Sequence, residues 1–267
     1  MLQREEVVVS PQLLEKQLSK EPFLKKAYEI ALRDEELQVL LEHSNVMAVK
    51  RLKYNDHGPT HAKIVSGSSL EIFDRIFSAG IEPTTIKDGI FQKTEEAKLV
   101  VLLGSLFHDI GNSIHRINHE FIGMLMSASI LDRILSSIFP NDKRKAILMR
   151  EEVLHAIYAT SYTVPALTIE AGCVKVGDGT DMSEGRARIP YRLGKNDIHA
   201  ISALSIDKVT ISSEDETPVV ITIYMKERAG VFQVEQVLYP KIATSGIKKY
   251  VKLKAVWGGK EMKMDLS

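Results

Sequence analysis

The sequence predicts a mainly α chain, helical through about residue 197 and closed by a small α/β unit. Two observations carry that expectation. Apolar residues recur at helical spacing from Ser10 to about Val176, and from about Ile206 they alternate, which is the period of half-buried strands. A polar stretch, Gly185 to Asp197, lies between the two patterns, so the expected division is 1–197 and 198–267.

The first pattern opens with Leu13, Leu14 and Leu18, for which Ser10 and Pro11 stand as N-cap and first helical residue. Leu24, Ala27, Ile30 and Ala31, then Leu37, Leu40 and Leu41, continue it towards Lys53. A further helix is expected from Pro59 to about Gly80. Glu95 to Asp109 reads as a central helix, apolar on nearly every face in its second half. Helices are also expected over His119–Phe139, from Asp142 to about Thr160, and from Pro165 to about Val176. The alternating residues Val209 and Ile211, then Val219 to Met225, then Val251 to Trp257, mark three strands. A helix through Val231, Val234, Leu238 and Ile242 falls before the last, giving the order ββαβ. Lys248, Lys249, Lys252 and Lys254 fit the solvated face of an edge strand.

A length of 267 residues with 44% hydrophobic and 26% charged residues is ordinary for a globular chain and outside the disordered and collagenous classes. Lys plus Arg and Asp plus Glu are equal at 35 each, so no global positive field recruits nucleic acid, and any phosphate site must be local. The single cysteine, Cys173, excludes an internal disulfide and a cysteine-rich zinc site. Metal ligands would therefore be His and carboxylate. Arg4, Glu5 and Glu6 stand where a signal peptide needs an apolar core, and the run Leu99–Phe107 is too short to span a bilayer. A cytoplasmic protein without a membrane partner is expected.

Five of the histidines, His61, His108, His115, His119 and His155, adjoin helix-forming segments. His108 and Asp109 end the apolar helix, and Gly111 stops it. An isolated core His is ordinarily satisfied by one hydrogen bond, but the adjacent buried carboxylate needs a partner of its own, and a divalent cation would neutralise it. Pro59 places His61 in a first helical turn facing inward, with His57 outside the helix as a cap or substrate contact. His115 and His119 share a face only if their segment is helical. His155, among Val153, Leu154 and Ile157, reads alone as a structural residue. Asp178 ends another apolar helix. The string GDGTDMSEG lacks the alternating acidic ligands of a calcium loop.

The strings NDHGPTH, LFHDIGN and VKVGDGTDM, with His155 between the last two, resemble the HD superfamily of metal-dependent phosphohydrolases over roughly residues 50–185. Within it they resemble an archaeal-type group of uncharacterised HD hydrolases. No GYP tripeptide of the cyclic-dinucleotide branch occurs. The resemblance implies an all-helical HD-type domain with His61, His108, Asp109 and Asp178 around a first metal ion, and His115, His119 and His155 as the candidates for a second. The ion would be Mn, Co, Ni, Mg, Zn or Fe, one or two per chain. Asp109 would be catalytic, orienting a metal-bound water for attack on phosphorus.

Arg186 and Arg188, followed by Arg192 and Lys195, offer local positive charge for a phosphate, as does Lys63, and His57 is a further substrate contact. The expected substrate is a nucleotide or other small phosphate ester, with no clear nucleic-acid surface. Two other readings use the same residues: an HD-fold diiron oxygenase, and a non-catalytic nucleotide-binding sensor. The C-terminal unit is expected to be structural or to form a homo-oligomer.

Overall fold

Prolines set the starts of three helices. In the computed structural model, which describes residues 5–182 and 202–262, Pro11, Pro22 and Pro59 occupy the first turns of α1 (Pro11–Leu18), α2 (Pro22–Leu32) and α4 (Pro59–Ser78). There the missing N–H costs nothing and the fixed φ suits a helix. Between them, α3 (Glu35–Asn45) starts where the Asp34 side chain accepts from the Leu37 N–H at 3.0 Å. A short turn α5 (Thr84–Lys87) precedes α6 (Thr94–Phe107), and a 3-10 turn (Ile110–Ser113) leads to α7 (His119–Ile138), α8 (Lys143–Tyr158) and α9 (Ile169–Thr180). Residues 99–113 are buried without interruption, so α6 is the central helix its composition predicts.

The expected helix from Pro165 begins later, at Ile169. The N–H groups that a first turn would leave free are used elsewhere: Ala166 donates to the Thr244 carbonyl at 2.9 Å, and Leu167 to His155 Nε2 at 3.1 Å. Thr168 supplies the cap, accepting from Ala171 N–H at 3.1 Å. α7 likewise begins at His119, after Asn118 in the left-handed region at φ 60°. His115 therefore precedes the helix and does not share a face with His119.

The C-terminal unit follows the expected order, with β2 (Ile206–Glu214), β3 (Thr217–Met225), a helix α10 over residues 231–243 containing a π turn at Val234–Leu238, and β4 (Val251–Trp257). β3 and β4 pair in parallel, which is why a crossover helix separates them. Two further strands complete a mixed sheet of order β1-β2-β3-β4-β5. β1 (Val7–Val8) comes from the N-terminal end of the chain, and β5 (Lys260–Met262) folds back through Gly258 and Gly259, both at positive φ. β5 pairs with Ala255–Trp257 only, so among the described residues Val251–Lys254, the half that carries Lys252 and Lys254, is paired on the β3 side alone, as expected of an edge. Lys252 and Lys254 also form ion pairs with Glu214 of β2.

One hydrophobic cluster runs from Leu14 and Leu99 through Val174 to Ile221 and Leu238, joining helices and sheet. A buried polar cluster does the same. Arg75 of α4 binds Glu71 at 2.7 Å, Ser213 Oγ of β2 at 2.8 Å and the Glu5 carbonyl at 2.8 Å. The 197/198 division lies outside the described residues. α7 is long and apolar enough to cross a membrane by length and composition; Ile130, Leu131, Ile134 and Leu135 pack in the core cluster, while Phe121 and Leu125 are exposed.

Candidate metal centre

Four residues from three segments far apart in sequence meet at one point. The first turn of α4 brings His61, the end of α6 brings His108, the residue after it is Asp109, and the last turn of α9 brings Asp178. His61, His108 and Asp109 are buried, with one donor atom of each lying within 4.8 Å of the others. His61 Nε2 lies 3.2 Å from His108 Nε2 and 3.3 Å from Asp109 Oδ2. His108 Nε2 is 3.4 Å from the same oxygen. Asp178 Oδ1 joins from the other side, 3.3 Å from His61 Nε2 and 3.5 Å from His108 Nε2.

Outer hydrogen bonds determine what these atoms offer. His61 Nδ1 lies 2.6 Å from Asp181 Oδ2, and His108 Nδ1 lies 2.7 Å from the Ser105 carbonyl. Each Nδ1 faces an acceptor and so carries the proton, leaving both Nε2 lone pairs pointing inward. Asp109 Oδ2, facing the same point, is buried without a hydrogen-bond partner. Inward-facing lone pairs and an unpaired carboxylate oxygen repel one another unless a cation lies between them. Donor separations of 3.2–3.5 Å are those spanned by bonds of about 2.0–2.2 Å to one ion. The residues fit a divalent metal.

The carboxylates are ionised to match. Burial alone would raise the Asp109 carboxyl, but without a metal, positive charge at His108 and His57 and N–H donation from His119 and His61 hold it well below the usual carboxylate range, and a cation bound to the Nε2 lone pairs would replace those protons. Asp178 behaves alike, with Lys241, His108 and His61 overcoming burial. Asn112 fixes Asp109, its side-chain amide donating to Oδ1 at 2.9 Å.

His119 reaches the far side of Asp109, its Nε2 3.3 Å from Oδ1, and Glu120 Oε2 stands 3.0 Å from its Nδ1. Arg116 Nη1 lies 3.0 Å from that Nε2, so a second cation at His119 would have to displace the guanidinium. The other two candidates for a second ion stand apart. His115 is exposed, its Nδ1 accepting from Ile117 N–H at 3.0 Å, and His155 accepts from Leu167 N–H across the α8–α9 connection. His57 is buried with its ring 5.6 Å from that of His61, held by Asn45, whose Oδ1 accepts from His57 N–H at 2.8 Å. Lys63 is exposed on α4. Arg186, Arg188, Arg192 and Lys195 lie outside the described residues.

Two residues without a role in the sequence reading enter here. Asp181 follows Asp178 by one helical turn, a spacing that could have flagged it. Lys241 comes from α10, in a segment with no motif, and its Nζ donates to Asp178 Oδ2 at 2.7 Å and to the Thr160 carbonyl at 2.9 Å.

The chain is 43% identical over 233 residues to uncharacterized protein MJ1020 of Methanocaldococcus jannaschii, spanning 86% of this chain and 88% of that protein. The chain belongs to the MJ1020 family. No protein-family model matches the chain. No solved structure matches it significantly.

One electrostatic consequence is measurable. Lys175, fully buried on α9, donates to the Val164 carbonyl at 2.7 Å, and burial together with Lys241 pushes its ammonium down to about 8. A folded-state value below the unfolded one means that the unfolded chain holds more protons between about pH 8 and about 10.5. Stability from this group therefore rises with pH across that window. Urea midpoints at pH 8 and pH 10 are expected to show the rise in the parent and to lose it in Lys175→Met.

Proposed function

We propose that the chain is a metal-dependent phosphohydrolase of the HD type acting on a small phosphate ester, a nucleotide being the leading candidate. The observation that carries the reading is the convergence of two lone-pair-bearing imidazoles on the unpaired Asp109 Oδ2. The motif order His61, His108-Asp109, Asp178 supports it, because the same residues hold metal in the family that the sequence resembles.

His61, His108, Asp109 and Asp178 would hold one divalent ion. Such an ion brings the pKa of a bound water near neutrality and draws charge from a phosphoryl oxygen. The chain supplies the rest. Asp109 would present Oδ2 to the ion while the Asn112 amide holds Oδ1, so this carboxylate has a fixed direction in which to orient the attacking water. Asp181 and the Ser105 carbonyl keep the two imidazoles in their metal-binding tautomer. A cavity of about 320 Å³, lined by Glu120, Phe121, Tyr158, Ser161 and Thr163 among others, lies beside His119 and offers room for the organic part of an ester.

The test uses metal-stripped protein loaded in turn with Mn, Co, Ni, Mg, Zn or Fe and assayed for phosphate release from a panel of nucleotides and phosphomonoesters. Release that needs the metal and stops on chelation is the expected result. Iron-dependent oxygen uptake without phosphate release would replace the reading by an oxygenase. Stabilisation by a nucleotide with no turnover would replace it by a sensor.

A further inference from the structure

A phosphoryl group brought to this centre needs a positive side chain beside the metal ligands, and the described residues supply few. Lys63 is exposed on α4. Arg116 is engaged by His119 Nε2 at 3.0 Å and Asn112 Oδ1 at 3.3 Å. Lys241 is different. Its side chain is buried, and its Nζ lies 2.7 Å from Oδ2 of Asp178, the carboxylate whose Oδ1 faces His61 and His108.

We propose that Lys241, carried into the centre by α10, fixes a phosphoryl oxygen of the substrate beside the metal ligands. The inference rests on the phosphohydrolase reading and adds to it a substrate-positioning residue from the C-terminal unit. An ammonium has three N–H donors, and among the described residues Lys241 uses two, on Asp178 Oδ2 and the Thr160 carbonyl. The Asp178 carboxylate already bridges from Nζ to the two imidazoles. A phosphoryl group offers two oxygens at nearly the same bite and can bridge the same pair of positions, one oxygen at the ion and one at Nζ. Thr160, which anchors Lys241, is followed by Ser161 on the wall of the cavity of about 320 Å³, so space for the rest of an ester adjoins the ammonium.

The position of Lys241 is built into the packing. A Cβ on Gly179, next to Asp178, would lie 2.8 Å from the Leu238 side chain and 3.3 Å from that of Lys241. α10 approaches α9 this closely only because residue 179 has no side chain. The α/β unit thereby completes the site formed by the helices.

The test compares full-length parent, Lys241→Met and Lys241→Arg, each loaded with Mn. Metal content, binding of inorganic phosphate by calorimetry, and steady-state kinetics on the best ester are measured. Lys241→Met is expected to keep its metal, to bind phosphate about tenfold more weakly or worse, and to raise KM by a similar factor with a smaller change in kcat. That is the scale of a charge-assisted hydrogen bond. Lys241→Arg is expected to recover part of both losses. Lys241→Gln, which keeps a donor for Asp178 without the charge, takes the place of the Met variant if that does not fold. Unchanged phosphate binding and KM would overturn the proposal, leaving Lys241 as a brace for Asp178. So would loss of metal from the Met and Gln variants, since Lys241 would then act through the ligand. A parent that binds metal but neither binds phosphate nor releases it from any ester would overturn the phosphohydrolase reading itself, and the proposal with it.

Discussion

Asp109→Asn is expected to lose stoichiometric metal and all hydrolytic activity while remaining folded. The amide keeps the shape of the carboxylate and its place beside Asn112. It removes the charge at the oxygen that faces both imidazoles. Even partners one shell out from a metal cost 10–100-fold in affinity when removed, so loss of a direct anionic ligand is expected to cost more than about 100-fold. At a metal concentration about 100 times the parent's Kd, the parent should gain about 2.7 kcal/mol of stability and the variant close to none. Thermal melts with and without Mn, beside metal analysis of the purified proteins, read both effects. A variant that retains one ion per chain would remove Asp109 from the centre.

Gly111→Ala should be among the most destabilising single-methyl changes in the chain. A Cβ there would lie 2.0 Å from the His119 carbonyl and 2.5 Å from the Gly123 N–H, both backbone atoms that no side-chain rotation can move aside. The 3-10 turn that follows Asp109 therefore touches α7 backbone to backbone. Separating them is expected to cost about 3 kcal/mol, the upper part of the range for overpacking. The displacement also draws His119 away from Asp109 Oδ1, from which it stands 3.3 Å. Gly80→Ala is the control: its φ is 83° but a Cβ there meets nothing, so only the left-handed penalty of about 1 kcal/mol applies. Equal urea midpoints for the two variants would show that the close approach at Gly111 is dispensable.

Much of the architecture was legible because local signals and burial agree. The proline starts at Pro11 and Pro59, the all-apolar second half of α6 and the alternation in β2 to β4 each describe a segment whose own pattern matches its final environment. Where they part, tertiary hydrogen bonds account for the difference. Pro165 looks like a helix start, yet the N–H groups of Ala166 and Leu167 are claimed by Thr244 and His155. β1 was not legible: the three valines Val7–Val9 are too short a run to show a period, and pairing with Ile211 and Thr210 makes Val7 and Val8 a strand.

The sequence by itself determined a helical body followed by an α/β unit. It also determined that any metal would be held by His and carboxylate, and that His61, His108, Asp109 and Asp178 stand at helix ends where ligands can be presented. Which histidines meet was decided by tertiary structure alone. His119 reaches Asp109 because Gly111 lets α7 dock on the turn, while the left-handed Asn118 leaves His115 outside the helix and exposed. His155, on an apolar helix face, is used up by a backbone N–H twelve residues on. Lys241 carries no signal in its own segment, because what gives it a role is the crossover from β3 to β4, which lays α10 against Gly179 and brings a buried ammonium to Asp178. Periodicity reports how one segment meets solvent and core. Convergence of separate segments depends on the close approaches of backbones, and those exist only once the chain has folded.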